Sequence, residues 1–304
     1  MDTLPFDRPG QFWRGNLHTH STHSDGLLPV AEVCRRYRDE GYDFLAMTDH
    51  FMAIYDWPVT DTRAFRDEHF TTLISAELHA PQTEVGETWH IKGVGLPLDF
   101  PAAAPGETGP QVARRAFEAG AFIGIVHPSW YGLTDRDADH LPFAHAVEIY
   151  NHSSAVEVDR GIDWPYADQL LNRGWHISGY ASDDAHHLDH DWLGGWVHVH
   201  AESLEPQALL DSLKAGRYYS SQGPQLHAVQ VRDDTVRIEC SPASVVSVQG
   251  RGSRSEHQRG AALTEVELPL RKFRNNWFRI TVVDRDGLHA WSNPVWLDND
   301  SCVS

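Results

Sequence analysis

Lysine is scarce. The 304-residue chain has three, Lys92, Lys214 and Lys272, and its 25 basic against 43 acidic residues leave a formal net charge of −18. That balance argues against broad attachment to a nucleic-acid backbone, which needs a basic surface. An acidic field repels a polyanion but tolerates a small anion held directly by metal ions. Cysteine is equally sparse: Cys34, Cys240 and Cys302 are odd in number and far apart, which fits neither a disulfide framework nor a cysteine-type zinc site. No apolar run approaches the length of a membrane span, and the first ten residues show no signal-peptide pattern, so a cytoplasmic enzyme is expected.

Histidine, by contrast, is abundant, with 20 residues. It is the commonest metal ligand and a frequent acid–base group, so the excess asks for a chemical explanation. The remaining composition, 41% hydrophobic and 22% charged, is ordinary for a globular protein. The length suits one large catalytic barrel with a small accessory domain.

A repeated unit organises the first part of the chain. Segments 30–40, 111–119 and 165–173 have apolar residues at helical spacing, and each is followed by a glycine (Gly41, Gly120, Gly174) and an apolar run. A helix that ends at a glycine and feeds a buried strand predicts α/β alternation, with parallel strands and helices outside. Segments 13–17 and 71–76 are further strand candidates, and 206–214 reads as a last helix. After Gly223-Pro224 the character changes to short strand-like segments at 226–231, 236–240, 245–248, 264–270, 278–283 and 295–297, separated by turn signals. These predict a small antiparallel β-sandwich. The polar stretch 250–260 is expected to be a mobile loop.

Ligand-type residues recur where the predicted strands end. His18 and His20 alternate, so both point to one face. Asp25 follows five residues after His20; alone it would be read as a turn residue before Gly26. His50 closes the second strand, Glu77 the third, and His90 lies in a further apolar stretch. His127 precedes Pro128, and Asp184 and His186 close the strand at 175–181. Each residue taken singly is better explained structurally. Nine of them at strand ends, in α/β order, are not, because that end of a parallel barrel is where active sites are built.

These residues carry a family resemblance. His18-Thr19-His20-Ser21, Thr48-Asp49-His50, Glu77, His127-Pro128 and Ser182-Asp183-Asp184-Ala185-His186 resemble, in order, the motifs of the PHP (polymerase and histidinol phosphatase) superfamily of metal-dependent hydrolases, over roughly residues 12–223. The resemblance implies a distorted (β/α)7 barrel in residues 1–223, carrying two or three divalent ions (Mn, Zn or Fe), with the β-sandwich in residues 224–304. It also implies a division of ligands. His18, His20, Glu77 and Asp184 hold the first ion. Glu77 bridges to a second held by His90 and His127. Asp25, His50 and His186 hold a third. His79 rivals His90, and Asp183 rivals Asp184, although the Asp-x-His spacing favours Asp184. Segment 209–224 and the β-rich tail resemble a PHP subgroup named after a carbaryl hydrolase.

The implied chemistry is hydrolysis by a hydroxide bridging two metals, with no Ser or Cys nucleophile. The expected substrate is a small, anionic phosphate mono- or diester, with no nucleic-acid or membrane partner and room for homo-oligomers. Glu77, His152 and Arg160 are the catalytic candidates. His152, His23 and His187 are placed for leaving-group protonation, and Arg160 and Lys92 as phosphate clamps. An ester, amide or carbamate hydrolase on the same site is the enzymatic alternative. A binding or regulatory protein with a vestigial barrel is the non-enzymatic one.

Overall fold

Glycines stop the helices where the pattern predicts. Helices Val30–Asp39, Gly109–Glu118 and Trp164–Asn172 are followed by Gly41, Gly120 and Gly174 at φ of 75°, 95° and 91°. This left-handed backbone favours glycine and turns the chain into the next strand. The computed structural model describes residues 4–297; Cys302 lies outside them.

The first part of the chain carries strands β1 (Gln11–Asn16), β2 (Phe44–Met47), β3 (His50–Phe51), β4 (Thr71–Ala80), β5 (Trp89–Val94), β6 (Phe122–Ile125), β7 (Ala146–Asn151) and β8 (Ser178–Ser182). β9 (Trp196–Ala201) and β10 (Tyr218–Ser221) follow, separated by helix Pro206–Lys214. The tail contains β11 (Leu226–Arg232), β12 (Thr235–Gly250), β13 (Ser255–Pro269), β14 (Asn276–Val283), β15 (His289–Ser292) and β16 (Val295–Leu297). All sixteen join one continuous sheet in the order β11-β12-β14-β15-β10-β9-β1-β2-β4-β5-β6-β7-β8, with β13, β16 and β3 as side branches.

Pairing is parallel from β1 through β2 to β4 and again from β6 through β7 to β8. Elsewhere the expected all-parallel alternation fails. β5 runs antiparallel to both β4 and β6, and β9 runs antiparallel to β1. β5 follows β4 with no crossover helix between them, so the chain folds back beside β4, and helix Gly109–Glu118 then carries it to β6 on the far side of β5. At one end the residues after β1 meet those after β8. Thr19 and Ala185 form a parallel bridge, Asp184 N donates to His18 O (2.9 Å), and His20 N donates to Ala185 O (2.9 Å).

Stretch 250–260 is not the expected loop. Residues 255–259 pair with β12, from Gln249↔Ser255 to Val245↔Arg259, so only a short turn separates two long strands. β13 pairs with β12 alone among the described residues and is solvated, which is why its sequence is polar. The tail is fastened to the first part by the β10–β15 ladder and by Arg279. Arg279 makes a two-pronged pair with Asp168 (3.0 and 2.9 Å) and lies 4.1 Å over the Trp164 ring. Among the described residues no helix is long and apolar enough to cross a membrane.

Candidate metal centre

Strand geometry delivers the donors to one place. His18 and His20, on the extended chain leaving β1, are both fully buried, while Thr19 between them turns its backbone N–H to Thr48 Oγ1. His50 opens β3 opposite Glu77 of β4, and in the β4–β5 ladder His90 stands directly opposite His79. His127 and Asp184 leave β6 and β8 with positive φ of 22° and 60°. Such strained backbone in non-glycine residues recurs at functional sites.

Glu77 is the hub, with no solvent exposure. Its Oε1 faces His90 Nδ1 (2.9 Å) and His127 Nε2 (3.3 Å). Its Oε2 faces His50 Nδ1 (2.8 Å), His18 Nε2 (3.5 Å), His79 Nε2 (3.5 Å) and His20 Nε2 (3.6 Å). Asp184 Oδ1 lies 3.0 Å from His18 Nε2 and 3.1 Å from His20 Nε2, and Oδ2 lies 3.8 Å from His127 Nε2. Asp25 reaches His50 Nε2 (3.2 Å) and His186 Nε2 (3.5 Å). All nine sequence-predicted ligands therefore converge. Their donor atoms form overlapping sets, each within 4.8 Å of one another: His18–His20–Glu77, His18–His127–Asp184, Glu77–His90–His127 and His20–Asp25–His50–His186. His79 also joins, with His50 and Glu77. It meets Glu77 at the oxygen that His90 does not use, so the two histidines are neighbours rather than substitutes.

Buried His18 Nε2 and Glu77 Oε2 have no hydrogen-bond partner. Orphaned donors and acceptors at zero exposure are costly unless something completes them. A divalent cation fits the donor chemistry: imidazole nitrogens and carboxylate oxygens, with one carboxylate shared between sets.

Over 97% of this chain and 99% of its own, the fold matches a two-domain protein of Bacteroides vulgatus containing a predicted PHP-like metal-dependent phosphoesterase, at 14% identity and a TM-score of 0.53. The chain has a PHP-type fold. An amidohydrolase of Chromobacterium violaceum is a more distant match, with 16% identity over 59% of this chain and 89% of that one and a TM-score of 0.44. In sequence, an uncharacterized protein of Methanocaldococcus jannaschii is 24% identical over 212 residues, 65% of this chain and 84% of that protein. No family model matches the sequence.

Within this cluster the charges are mutually dependent. Burial alone would raise the Glu77 pKa, but His18, His50, His90 and His79 hold it well below the usual carboxylate range. Asp184 is likewise held down, against its burial, by His18, His20 and His186. Burial opposes charge on His50, yet Glu77 and Asp25 push its pKa up to about 10. Burial dominates at His90, lowered to about 3, and at His20, lowered well below the ordinary value with help from His186 and His50. Ionised carboxylates and the neutral His20 and His90 present lone pairs, the state a metal needs, whereas His50 and His18, raised against their burial by the surrounding carboxylates, would release a proton to an incoming ion.

Two residues that sequence reasoning missed support this shell. Glu148, fully buried on β7, accepts from His18 Nδ1 (2.8 Å) and Ser182 Oγ at one oxygen, and from His127 N (2.8 Å) and Asn151 Nδ2 (3.0 Å) at the other. Asn151 also donates to Asp184 Oδ2 (3.0 Å). The only sequence signal was a carboxylate inside an apolar strand, which needs a partner.

The remaining candidates lie elsewhere. His152 bonds Tyr150 Oη through Nδ1 (2.9 Å), packs against Gly194 and contacts no ligand. Leaving-group protonation by His152 is thus not supported: it opens the helix after β7 and its ring bonds Tyr150 instead of a member of the cluster. His23 bonds Thr60 Oγ1 (3.1 Å), and His187 bonds Asp191 (3.3 Å). Lys92 is completely buried, so it is no solvent-side phosphate clamp. Arg160 Nη1 donates to the carbonyl of Trp130 (3.1 Å), whose ring lies 5.1 Å from His127 and 5.5 Å from His90.

Proposed function

We propose that this chain is a PHP-superfamily metal-dependent hydrolase, and specifically a phosphoesterase acting on a small phosphate mono- or diester. The observation that carries the proposal is Glu77, a completely buried carboxylate whose two oxygens face separate histidine sets, the arrangement of a bridging ligand. His18, His20 and Asp184 would hold one ion with Glu77, His90 and His127 a second, and Asp25, His50 and His186 a third. Mn, Zn and Fe all suit such donors. Bound divalent ions acidify water and neutralise developing charge on a phosphoryl group.

The protein's own contribution is to fix donors through Glu148 and Asn151 and to tether Arg160 to the carbonyl of Trp130, whose ring flanks His90 and His127. A fixed guanidinium suits phosphate, which favours the phosphoester over the carboxyl-ester or carbamate alternative. Affiliation with the carbaryl-hydrolase-like subgroup belongs to the same proposal, as do a cytoplasmic setting and the division into a (β/α)7-type barrel (1–223) and a β-sandwich (224–304). One apolar cluster drawn mostly from β10–β16 supports that division.

Glu77→Gln tests the reading. Metal content should fall, and turnover of p-nitrophenyl phosphate and its bis ester should be lost, with a naphthyl carbamate as the comparison substrate. Unchanged metal content and activity in this variant would remove the bridging role.

A further inference from the structure

Large apolar side chains are left in water on the segments that leave the donor cluster. Leu27, Ile54, Val85 and Trp130 are exposed, and they lie on the connections after β1, β3, β4 and β6. Each follows a cluster residue along the chain: His20, His50, Glu77 and His127. A single exposed leucine or valine is ordinary, but a tryptophan left 43% exposed beside a buried polar centre asks for an occupant.

Trp130 touches the donor rings directly. Its centroid lies 5.1 Å from that of His127 and 5.5 Å from that of His90, edge-on to the first and tilted to the second. Beside His50, the partly exposed Tyr55 stacks at 6.2 Å with an interplanar angle of 21°. Both rings stand on anchored turns. Ser129 donates through N (2.9 Å) and Oγ to Asp163, and the Trp130 carbonyl accepts from Arg160 (3.1 Å). Tyr55 N and Trp57 N both donate to Met52 O (3.1 and 3.0 Å), and the Trp57 ring packs 5.1 Å from that of Phe51. Rings fixed before a ligand arrives lose little freedom when they cover it.

We propose that Trp130 and Tyr55 are specificity-determining residues that receive an aromatic group, so that the preferred substrate is an aryl ester of phosphate. This rests on the phosphoester reading above and deepens it. Because Trp130 touches the rings of two proposed ligands, a ring joined to phosphorus through a single ester oxygen reaches it without a spacer. Ring pairs in offset or edge contact gain more than their buried area alone provides. The leaving group fits as well. His152, His23 and His187 bond Tyr150, Thr60 and Asp191 instead of the cluster, so none of them is set to protonate a departing oxygen. An aryl oxide, with a pKa near that of tyrosine, about 10, departs without the dedicated acid that an alkoxide needs. The water oxygen joins phosphorus, and the bond from phosphorus to the aryl oxygen breaks with its electron pair on the phenolate. The proton given up by water returns to that phenolate through solvent.

The test titrates metal-loaded, full-length protein calorimetrically with phenylphosphonate and methylphosphonate, which have no ester bond to hydrolyse. Wild type should bind the phenyl compound about tenfold tighter or more. Trp130→Ala and Tyr55→Ala should each lower that ratio by about threefold or more. The ratio of kcat/KM for phenyl phosphate over glycerol 2-phosphate should fall in parallel; comparing it between proteins cancels the greater intrinsic reactivity of the aryl ester. Tyr55→Ala, on a separate turn, decides the matter if Trp130→Ala does not fold. Equal affinity of wild type for the two phosphonates, or a ratio that survives both substitutions, would overturn the aryl preference. Failure of metal-loaded wild type to bind either phosphonate would instead overturn the phosphoester reading on which it rests.

Discussion

Glu148→Gln is the most discriminating perturbation because it changes one atom and leaves the shape intact. Glu148 accepts four hydrogen bonds, two at each oxygen: His18 Nδ1 and Ser182 Oγ at Oε1, His127 N and Asn151 Nδ2 at Oε2. An amide has one accepting oxygen and one donating nitrogen. If its nitrogen replaces Oε2 it opposes a backbone N–H and a side-chain NH2, neither of which can reverse. If it replaces Oε1, the Ser182 hydroxyl can rotate and His18 can move its proton from Nδ1 to Nε2. That second arrangement is the less costly one, and it occupies the His18 nitrogen that faces Glu77 and Asp184. Loss of an outer partner of a metal-binding histidine costs about 10- to 100-fold in affinity, or roughly 1.4 to 2.7 kcal/mol. Chelator competition with Mn or Zn should show this loss. Metal-free stability in urea should fall by about 1–3 kcal/mol for the mismatched buried donor. Affinity within twofold of wild type would refute the argument that Glu148 fixes the His18 proton.

Further expectations follow from other contacts. His90→Ala should release one ion per chain, whereas His79→Ala, whose Nε2 approaches His50 Nδ1 at 2.7 Å, should weaken binding without removing a whole site; elemental analysis of both variants separates the two roles. His198 accepts a hydrogen bond from Trp196 Nε1 (2.9 Å) at Nε2, and burial, aided by Arg14, lowers its pKa to about 3. Its folded pKa lies below the unfolded value, so its contribution is complete above about pH 6.5 and lost as pH falls toward 3, with a slope of at most about 1.4 kcal/mol per pH unit. Urea melts of His198→Gln between pH 7 and 5 should show a correspondingly shallower dependence than wild type. Arg279→Ala removes the buried partner of Asp168 and the cover of Trp164, and chemical denaturation should record a loss of about 2–4 kcal/mol.

Much of the site was legible because period-two alternation and strand-end placement are written in the chain. His18 and His20 share a face by spacing alone, and His127, Asp184 and His186 follow apolar runs. What the sequence did not show depends on chain direction and on partners far away. The antiparallel course of β5 follows from an absent crossover helix, and it is this course that puts His90 opposite His79 and Lys92 opposite Glu77. Glu148 lies 130 residues from His18, and only the folded sheet brings them to 2.8 Å. His152 does stand where β7 ends, but strand-end placement alone does not show that its ring bonds Tyr150 Oη rather than the donor cluster.

The motifs also pair each ligand with an anchor, and this explains why adjacent acids are not interchangeable. Asp49, next to His50, accepts from Ser21 N and Oγ, Ser24 Oγ and Thr60 Oγ1, and so holds the loop that carries Asp25. Asp183, next to Asp184, accepts from Tyr37 Oη and from the backbone N–H groups of Leu193, Gly194 and Gly195, and so ties down the segment after His186. In each pair one residue, His50 or Asp184, faces the donor cluster while its neighbour, Asp49 or Asp183, holds a loop. Burial pushes Asp183 up to about 6 despite those donors. Its oxygens are committed to those donors rather than to a cation. The Asp-x-His spacing therefore selects Asp184 for a physical reason: the position beside it is already committed to holding the loop still.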